Sequence, residues 1–395
     1  MSVRIEDMAP LPTGVSLNEE ALERYENAYR NHYQAWGEIL NRNIESITKG
    51  SYSLHWLDTD KANWGRRAKP SARGMTYTDI NNIRGYGQMP DRAEWLNFAP
   101  RGSVREPYRD EMPIIGDYSV LNKGELWADN VLTLYEEAKA RQWNATRDIP
   151  WEDLKPLPDD LEKATCQLCT FLTEVEFVAG DFPAKWLYRI PQDFLEVKSF
   201  LSTQIMDEAR HQEVFRKRAI AGGGLLHAAP GFEWALSAIL EAPTHTMGTF
   251  LLNVLGEGLV LSIFRSGEMI AKTQVDKEIF RRCLQDEARH VSYGVLELKS
   301  YLATHPQREA AIEEMHRFAD VGEQVVLTAF TEPTMFEPLA VLLGGSLKKI
   351  DDGMESLVHL WRMFIEEYLQ RCDTAGFDRR ERCTIPLDFP WGVAA

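Results

Sequence analysis

From about residue 124 onward, apolar residues recur every three to four positions, the spacing that lines them along one face of a helix. Helices are expected over 124–142, 159–180, 191–219, 232–241, 244–271, 274–303, 306–330 and 351–371. Breaks fall at Pro150, Pro156, Pro158, Pro191, the run Gly222, Gly223 and Gly224, Pro243 and Pro306. An earlier helix is signalled by Ser16 with Glu19 three positions on, a capping box, and by Tyr25, Tyr29, Tyr33, Trp36 and Ile39 in a repeat reaching about Ile47. Nowhere do strands alternate with helices, so the expected class is all-α.

Between Thr48 and Tyr118 the periodicity is lost, and Trp56, Trp64, Pro70, Gly85, Gly87, Pro90 and Trp95 are scattered through the stretch. So long an irregular segment reads as a wrap over the body or a functional cover. Its basic run, Arg66, Arg67, Lys69 and Arg73, reads as a solvated loop face. The expected organisation is a covering segment over 1–120, a helical bundle over 121–330 and a helical extension over 331–395, built as one integrated domain.

Composition narrows the partners. The 395 residues hold 44 Lys and Arg against 60 Asp and Glu, a formal charge of −16, which disfavours nucleic acid and anionic membrane. Five cysteines (Cys166, Cys169, Cys283, Cys372 and Cys383) have no framework spacing, and the Cys166/Cys169 pair reads as small buried residues of a helix. The stretch Met247 to Phe264 is apolar save for Glu257, yet it contains Asn253, Gly256 and Gly258, so a buried core helix is expected there and no membrane span. The start of the chain lacks the apolar core of a signal peptide, and the cytoplasm is the expected compartment.

The chemistry lies in a repeat. Asp-Glu-Ala-Arg-His occurs at Asp207 to His211 and again at Asp286 to His290. Each copy sets a Glu and a His three residues apart, on one helix face. Leu201, Ile205, Val214 and Phe215 share the first face, and Phe280, Cys283, Leu284, Tyr293 and Gly294 the second, so both pairs point inward. A bundle that holds two metal ions adds one carboxylate from each of two further helices. Glu257, alone in its apolar helix, is one; Glu176, followed by the small Ala179 and Gly180, is favoured over Glu174 as the other. Four glutamates balance two divalent cations, which matters where uncompensated charge is costly. Carboxylate and imidazole ligands suit iron, with manganese as the variant. Asp207 and Asp286 are placed to accept the second ring N–H of a ligand histidine across the helix pair, with Arg210 and Arg289 holding the aspartates.

In these residues the chain resembles the ferritin-like di-iron carboxylate superfamily. Within it, the doubled motif and Glu176-Phe-Val-Ala179 are similar to bacterial multicomponent monooxygenase hydroxylase subunits, over roughly residues 160 to 300. The resemblance implies a ferritin-like four-helix bundle with additional helices. It assigns Glu176, Glu208 and His211 to one iron and Glu257, Glu287 and His290 to the other, with bridging glutamates shared and dioxygen as co-substrate. Three positions depart from its subfamilies. Phe215 stands where the small subunit of ribonucleotide reductase has a radical tyrosine, Cys283 where arylamine N-oxygenases have an extra histidine, and Leu261, next to Ser262, where the hydroxylases have a threonine.

The expected activity is oxidation of a small, partly apolar organic substrate by an oxygenase or oxidase. No dinucleotide fingerprint or iron–sulfur spacing is present, so electrons are expected from a separate reductase or ferredoxin. Phe177, Phe215, Leu261 and Tyr293 are the candidate substrate-pocket residues, and a homodimer is the expected assembly. Amine N-oxygenation, iron storage and a metal-free scaffold are the alternatives.

Overall fold

The computed structural model describes residues 37–51, 54–57, 64–83, 89–93, 98–103 and 118–387, with the single residues 23 and 27. Met1–Arg66 with Val104–Ile115 make one compact unit, and Arg67–Ser103 with Gly116–Ala395 make another, so the segments expected as bundle and C-terminal extension share a unit. In the first unit residues 37–48 are helical, within the helix expected to reach Ile47. Tyr25, Tyr29, Tyr33 and Trp36 lie outside the described residues, as do Gly85, Gly87 and Trp95 of the covering segment.

The second unit is built from α1 (Val131–Ala140), α2 (Asp159–Leu187), α3 (Leu195–Gly222), α4 (Pro230–Leu240), α5 (His245–Ile270), α6 (Gln274–Thr304), α7 (Arg308–Thr331), α8 (Pro333–Gly344) and α9 (Ile350–Ala375). Among the described residues there is no strand, only two isolated bridges. The architecture is all-α, a four-helix bundle with added helices. In the bundle α2 packs along α3 and α5 along α6, while α3 meets α6 across the centre. Outside it, α4 and α8 lie against α2, and α9 runs against α5, α6 and α8.

Local chemistry explains the boundaries. Asp159, Asp160 and Glu162 fill the first turn of α2, where negative charge meets the positive end of the helix dipole. Thr244 caps α5 by accepting from the Met247 N–H at 3.2 Å, and Thr273 caps α6 by accepting from Asp276 N–H at 3.0 Å. The helix expected to end at Gly180 runs on through Pro183 to Leu187, because Phe182, Pro183 and Trp186 are buried, and their burial outweighs a break worth about 3 kcal/mol. Helix α8, with Pro333 in its first turn and Pro338 inside it, was not expected at all. The region expected as one helix from 124 opens as a short turn, Lys123–Glu125, before α1 begins.

Helix α5 is long and apolar enough to cross a membrane, but 89% of its most apolar window is buried inside the chain, as a core helix would be. Residues Phe250–Gly256 within it form a π-helix, and the Glu257 N–H reaches back five residues to the Leu252 carbonyl. Such an insertion adds one residue to a turn and often marks a functional site. Opposite it, α6 presents Gly294, where a Cβ would stand 2.5 Å from the Asn253 Cβ. The two backbones approach because that side chain is missing.

Part of the covering segment docks on the start of α3. A short helix, Tyr77–Asn81, is closed by a Thr76/Asp79 capping box. Asn81 donates to Glu196 at 2.8 Å, and Arg101 pairs with the same carboxylate. Arg66, Arg67, Lys69 and Arg73 are exposed.

The close approach at Gly294 makes a stability prediction. Gly294→Ala forces α5 and α6 apart and should cost about 1–3 kcal/mol, read as a lower denaturant midpoint. An unchanged midpoint would show that the π segment and α6 separate freely.

Candidate metal centre

The four bundle helices bring six side chains to one point. Glu176 comes from α2, Glu208 and His211 from α3, Glu257 from α5, and Glu287 and His290 from α6; all are at most 3% exposed. Their donor atoms form two overlapping groups, each within 4.8 Å: Glu176, Glu208, His211 and Glu287, then Glu208, Glu257, Glu287 and His290. Glu208 and Glu287 belong to both, the arrangement expected of bridging carboxylates.

The halves mirror one another. His211 Nδ1 lies 3.1 Å from Glu287, 3.2 Å from Glu208 and 3.6 Å from Glu176. His290 Nδ1 lies 3.0 Å from Glu208, 3.3 Å from Glu287 and 3.7 Å from Glu257. Glu176 Oε1, both Glu208 oxygens and His211 Nδ1 are buried without a hydrogen-bond partner. Each such atom costs about 1–3 kcal/mol if left unmet. Here they converge on one space, so the residues fit a pair of cations.

The Asp and Arg letters of the repeat close a ring behind the histidines. His211 Nε2 is 3.3 Å from Asp286 and His290 Nε2 is 3.3 Å from Asp207, each aspartate coming from the opposite helix, as expected. Arg210 donates to Asp207 and, at 3.1 Å, to Asp286; Arg289 donates to Asp286 and, at 2.8 Å, to Asp207. Both arginines are buried, at 3% and 2% exposure. Two negative and two positive groups cancel within this ring.

Sequence reasoning missed the residues that steady these groups. Trp143 Nε1 donates to Asp286 at 2.7 Å, and the Arg210 guanidinium lies 5.2 Å over the Trp143 ring. Gln204 and Asn253 donate their amides to the two oxygens of Glu257 at 3.0 and 2.8 Å. Both carried a signal: Gln204 stands four residues before Glu208, and Asn253 four before Glu257, on the same faces. Glu174, the other candidate on α2, instead accepts from the Ala229 N–H at 3.2 Å.

Burial and mutual charge shift the titration of several of these groups. Burial pushes Glu176 and Glu257 well above the usual carboxylate range. Burial opposes charge on the imidazoles, yet both titrate well above the ordinary histidine range: His211 beside Cys283, Asp286 and Glu176, His290 beside Glu208 and Asp207. Burial likewise opposes charge on Glu208, but the two rings hold it below the carboxylate range.

An apolar cavity meets the centre on the carboxylate side. Glu176, Glu257 and Glu287 reach it, and Val175, Ala179, Phe232, Leu255, Val326 and Met335 are among the residues that line it, drawn from α2, α4, α5, α7 and α8. None of its lining side chains is a hydrogen-bond donor or a cation. The four expected pocket residues are elsewhere. Phe177 is 59% exposed, because the residue after Glu176 is turned about 100° away from it. Phe215 stacks in the core with Phe264 and Phe280, Tyr293 donates to the Leu126 carbonyl at 2.8 Å, and Leu261 does not line the cavity. Ser262, beside it, donates to Glu367 at 3.1 Å.

No protein-family model matches the chain, and no curated protein matches its sequence. Among solved structures it is similar to R2-like ligand-binding oxidases carrying a Mn/Fe cofactor. A tyrosine-to-phenylalanine variant of such an oxidase matches with 19% identity over 63% of this chain and 94% of that one, at a TM-score of 0.49. A glycine-to-phenylalanine variant matches with 21% identity over 63% and 97%, also at 0.49. A likeness of that degree leaves the chemistry to be argued from the site itself.

Metal loading needs ionised glutamates and neutral imidazoles, and the raised pKa of Glu176, Glu257, His211 and His290 sets protons in competition with the ions. Uptake of Co(II) or Mn(II) is expected to release protons, visible by calorimetry in buffers of different ionisation enthalpy, and affinity should rise with pH. A pH-independent affinity without proton release would contradict this electrostatic account.

Proposed function

We propose that this chain is a dinuclear, metal-dependent oxidoreductase. In this reading it activates dioxygen and oxidises a small apolar organic molecule, with electrons supplied by a separate donor protein. One observation carries it: six inward side chains, four acidic and two imidazole, meet at the end of an apolar cavity.

Glu176, Glu208, His211 and Glu287 would hold one ion, and Glu208, Glu257, Glu287 and His290 the other. The donor set suits iron, alone or with manganese. Bound there, two redox-active ions would supply the Lewis acidity and the electrons that reduction of dioxygen requires. The rest falls to the chain. Asp207 and Asp286 accept the Nε2–H of His290 and His211, which fixes the tautomer and leaves each Nδ1 free to coordinate. Gln204 and Asn253 hold the Glu257 carboxylate in one orientation from both sides. Apart from the three glutamates, the cavity walls offer an organic guest only apolar contact, which selects uncharged substrates.

The reading is tested by loading the protein with two equivalents of Fe(II) without oxygen, then admitting air at an oxygen electrode. Uptake faster than that of free iron is expected, and it should be lost in Glu208→Ala and in Glu287→Ala. Wild-type protein that takes up no more oxygen than iron in buffer would end the proposal. The cavity has its own test. Ala179→Phe fills it beside Glu176 and should weaken binding of a hydrophobic fluorescent probe by at least about tenfold; unchanged binding would place the guest elsewhere.

A further inference from the structure

The C-terminal helix α9 touches no donor atom of the centre, yet it grips the helix that carries Glu257. Arg371 Nε donates to the Val254 carbonyl at 3.0 Å, inside the π segment. The guanidinium lies flat against Gly258, where a Cβ would stand 2.4 Å from Nη2 and 2.5 Å from Cζ. One turn earlier on α9, Glu367 accepts from Ser262 at 3.1 Å and from Arg265 at 2.6 Å. Polar contacts between α9 and α5 therefore flank Glu257 on both sides in sequence, at 254 and 258 and again at 262 and 265.

A π segment is a register device. It carries one residue more than the α-helix would, and where four-residue spacing resumes, one carbonyl is passed over by the helical ladder. A donor from outside, at the right place, offsets that loss. Were the segment to shed its extra residue, Glu257 would rotate by about 100° relative to the turns before it, away from Glu208, Glu287 and His290. The Asn253 amide, which spans the segment to reach Glu257 Oε2, would lose its partner too.

We infer that Arg371 is a positioning residue: by holding the Val254 carbonyl it keeps the π segment wound and so keeps Glu257 in the half of the centre shared with His290. The guanidinium is held at some expense. Its Nη2 is enclosed without a hydrogen-bond partner, and burial draws its pKa down to about 10. Simple packing of α9 on α5 would be met by an apolar residue at 371.

This inference rests on the dinuclear reading, and its test separates the two. Full-length wild type, Arg371→Met and Arg371→Lys are titrated with Mn(II). Wild type is expected to bind two equivalents. In Arg371→Met the second equivalent should weaken by about 10- to 100-fold while the first keeps its affinity, and Arg371→Lys should recover part of the loss. Hydrogen exchange of the metal-free protein should show faster exchange of amides 250–258 in Arg371→Met, with α2 and α3 unchanged. Gly258→Ala, which displaces the guanidinium without removing it, should give the same split and carries the test if Arg371→Met does not fold. Equal weakening of both equivalents, or no weakening of either, overturns the positioning role and leaves the dinuclear centre standing. A wild type that binds no metal overturns both.

Discussion

Uncompensated charge in a dry interior is the constraint from which the rest of this molecule follows. Four carboxylates sit within a few ångströms of one another at almost no exposure, and their mutual repulsion would unfold the bundle core if they were all ionised alone. Two divalent ions would cancel them. The same crowding raises the pKa of Glu176 and Glu257, through burial, and of the two imidazoles, through the groups around them. Behind the imidazoles, Asp207 and Asp286 face Arg210 and Arg289, a second set of four charges that sums to zero. The centre is thus two nested neutral shells, and the repeated pentapeptide supplies most of both. That explains why the repeat is five letters long: Glu and His face inward, and Asp and Arg balance them one layer out.

Much of this could be read from the sequence because the signal was periodic. The two copies of Asp-Glu-Ala-Arg-His lie on apolar stripes, and Glu257 is the only ionisable residue between Met247 and Phe264, so five of the six inward residues announce themselves. Glu176 was harder, since Glu174 lies two positions away in the same helix, and the small Ala179 tipped the choice. Other features left no periodic trace. The π segment lies in a stretch so uniformly apolar that a change from four- to five-residue spacing shifts no polar residue off its face. Helix α8 was hidden by Pro333 and Pro338, each a breaker by local rule and each tolerated because α8 packs on α2 and α9. The cavity was misplaced because its walls come from helices distant in sequence: Phe232, Val326 and Met335 stand on α4, α7 and α8. A ligand's neighbour in sequence need not be its neighbour in the cavity, and Phe177 shows why.

The added helices also change what the bundle can hold. In a bare four-helix bundle the lone carboxylate on α5 would depend on α3 and α6 alone for outside support. Here three outside groups fix that helix: Gln204 on α3, Gly294 on α6 by its missing side chain, and Arg371 on α9. Glu176 has no comparable support, and its Oε1 has no hydrogen-bond partner among the described residues. The two terminal carboxylates therefore differ in freedom even though the histidine halves match. The centre thus has one carboxylate clamped by protein amides and one that is not.

That asymmetry bears on how the centre faces the cavity. The cavity touches Glu176, Glu257 and Glu287 but neither histidine and none of the Asp and Arg ring, so the polar shells face one way and the apolar space the other. Dioxygen and an apolar guest both partition out of water into such a space, while charged solutes are excluded from it. The carboxylate with the unpartnered oxygen stands at its wall. Movement of Glu176 would expose the centre to the cavity, and clamping of Glu257 would keep the ions in place while it moved. In the proposed function the direction of attack would be set by which glutamate is free, and the side chains that decide it lie outside the doubled motif.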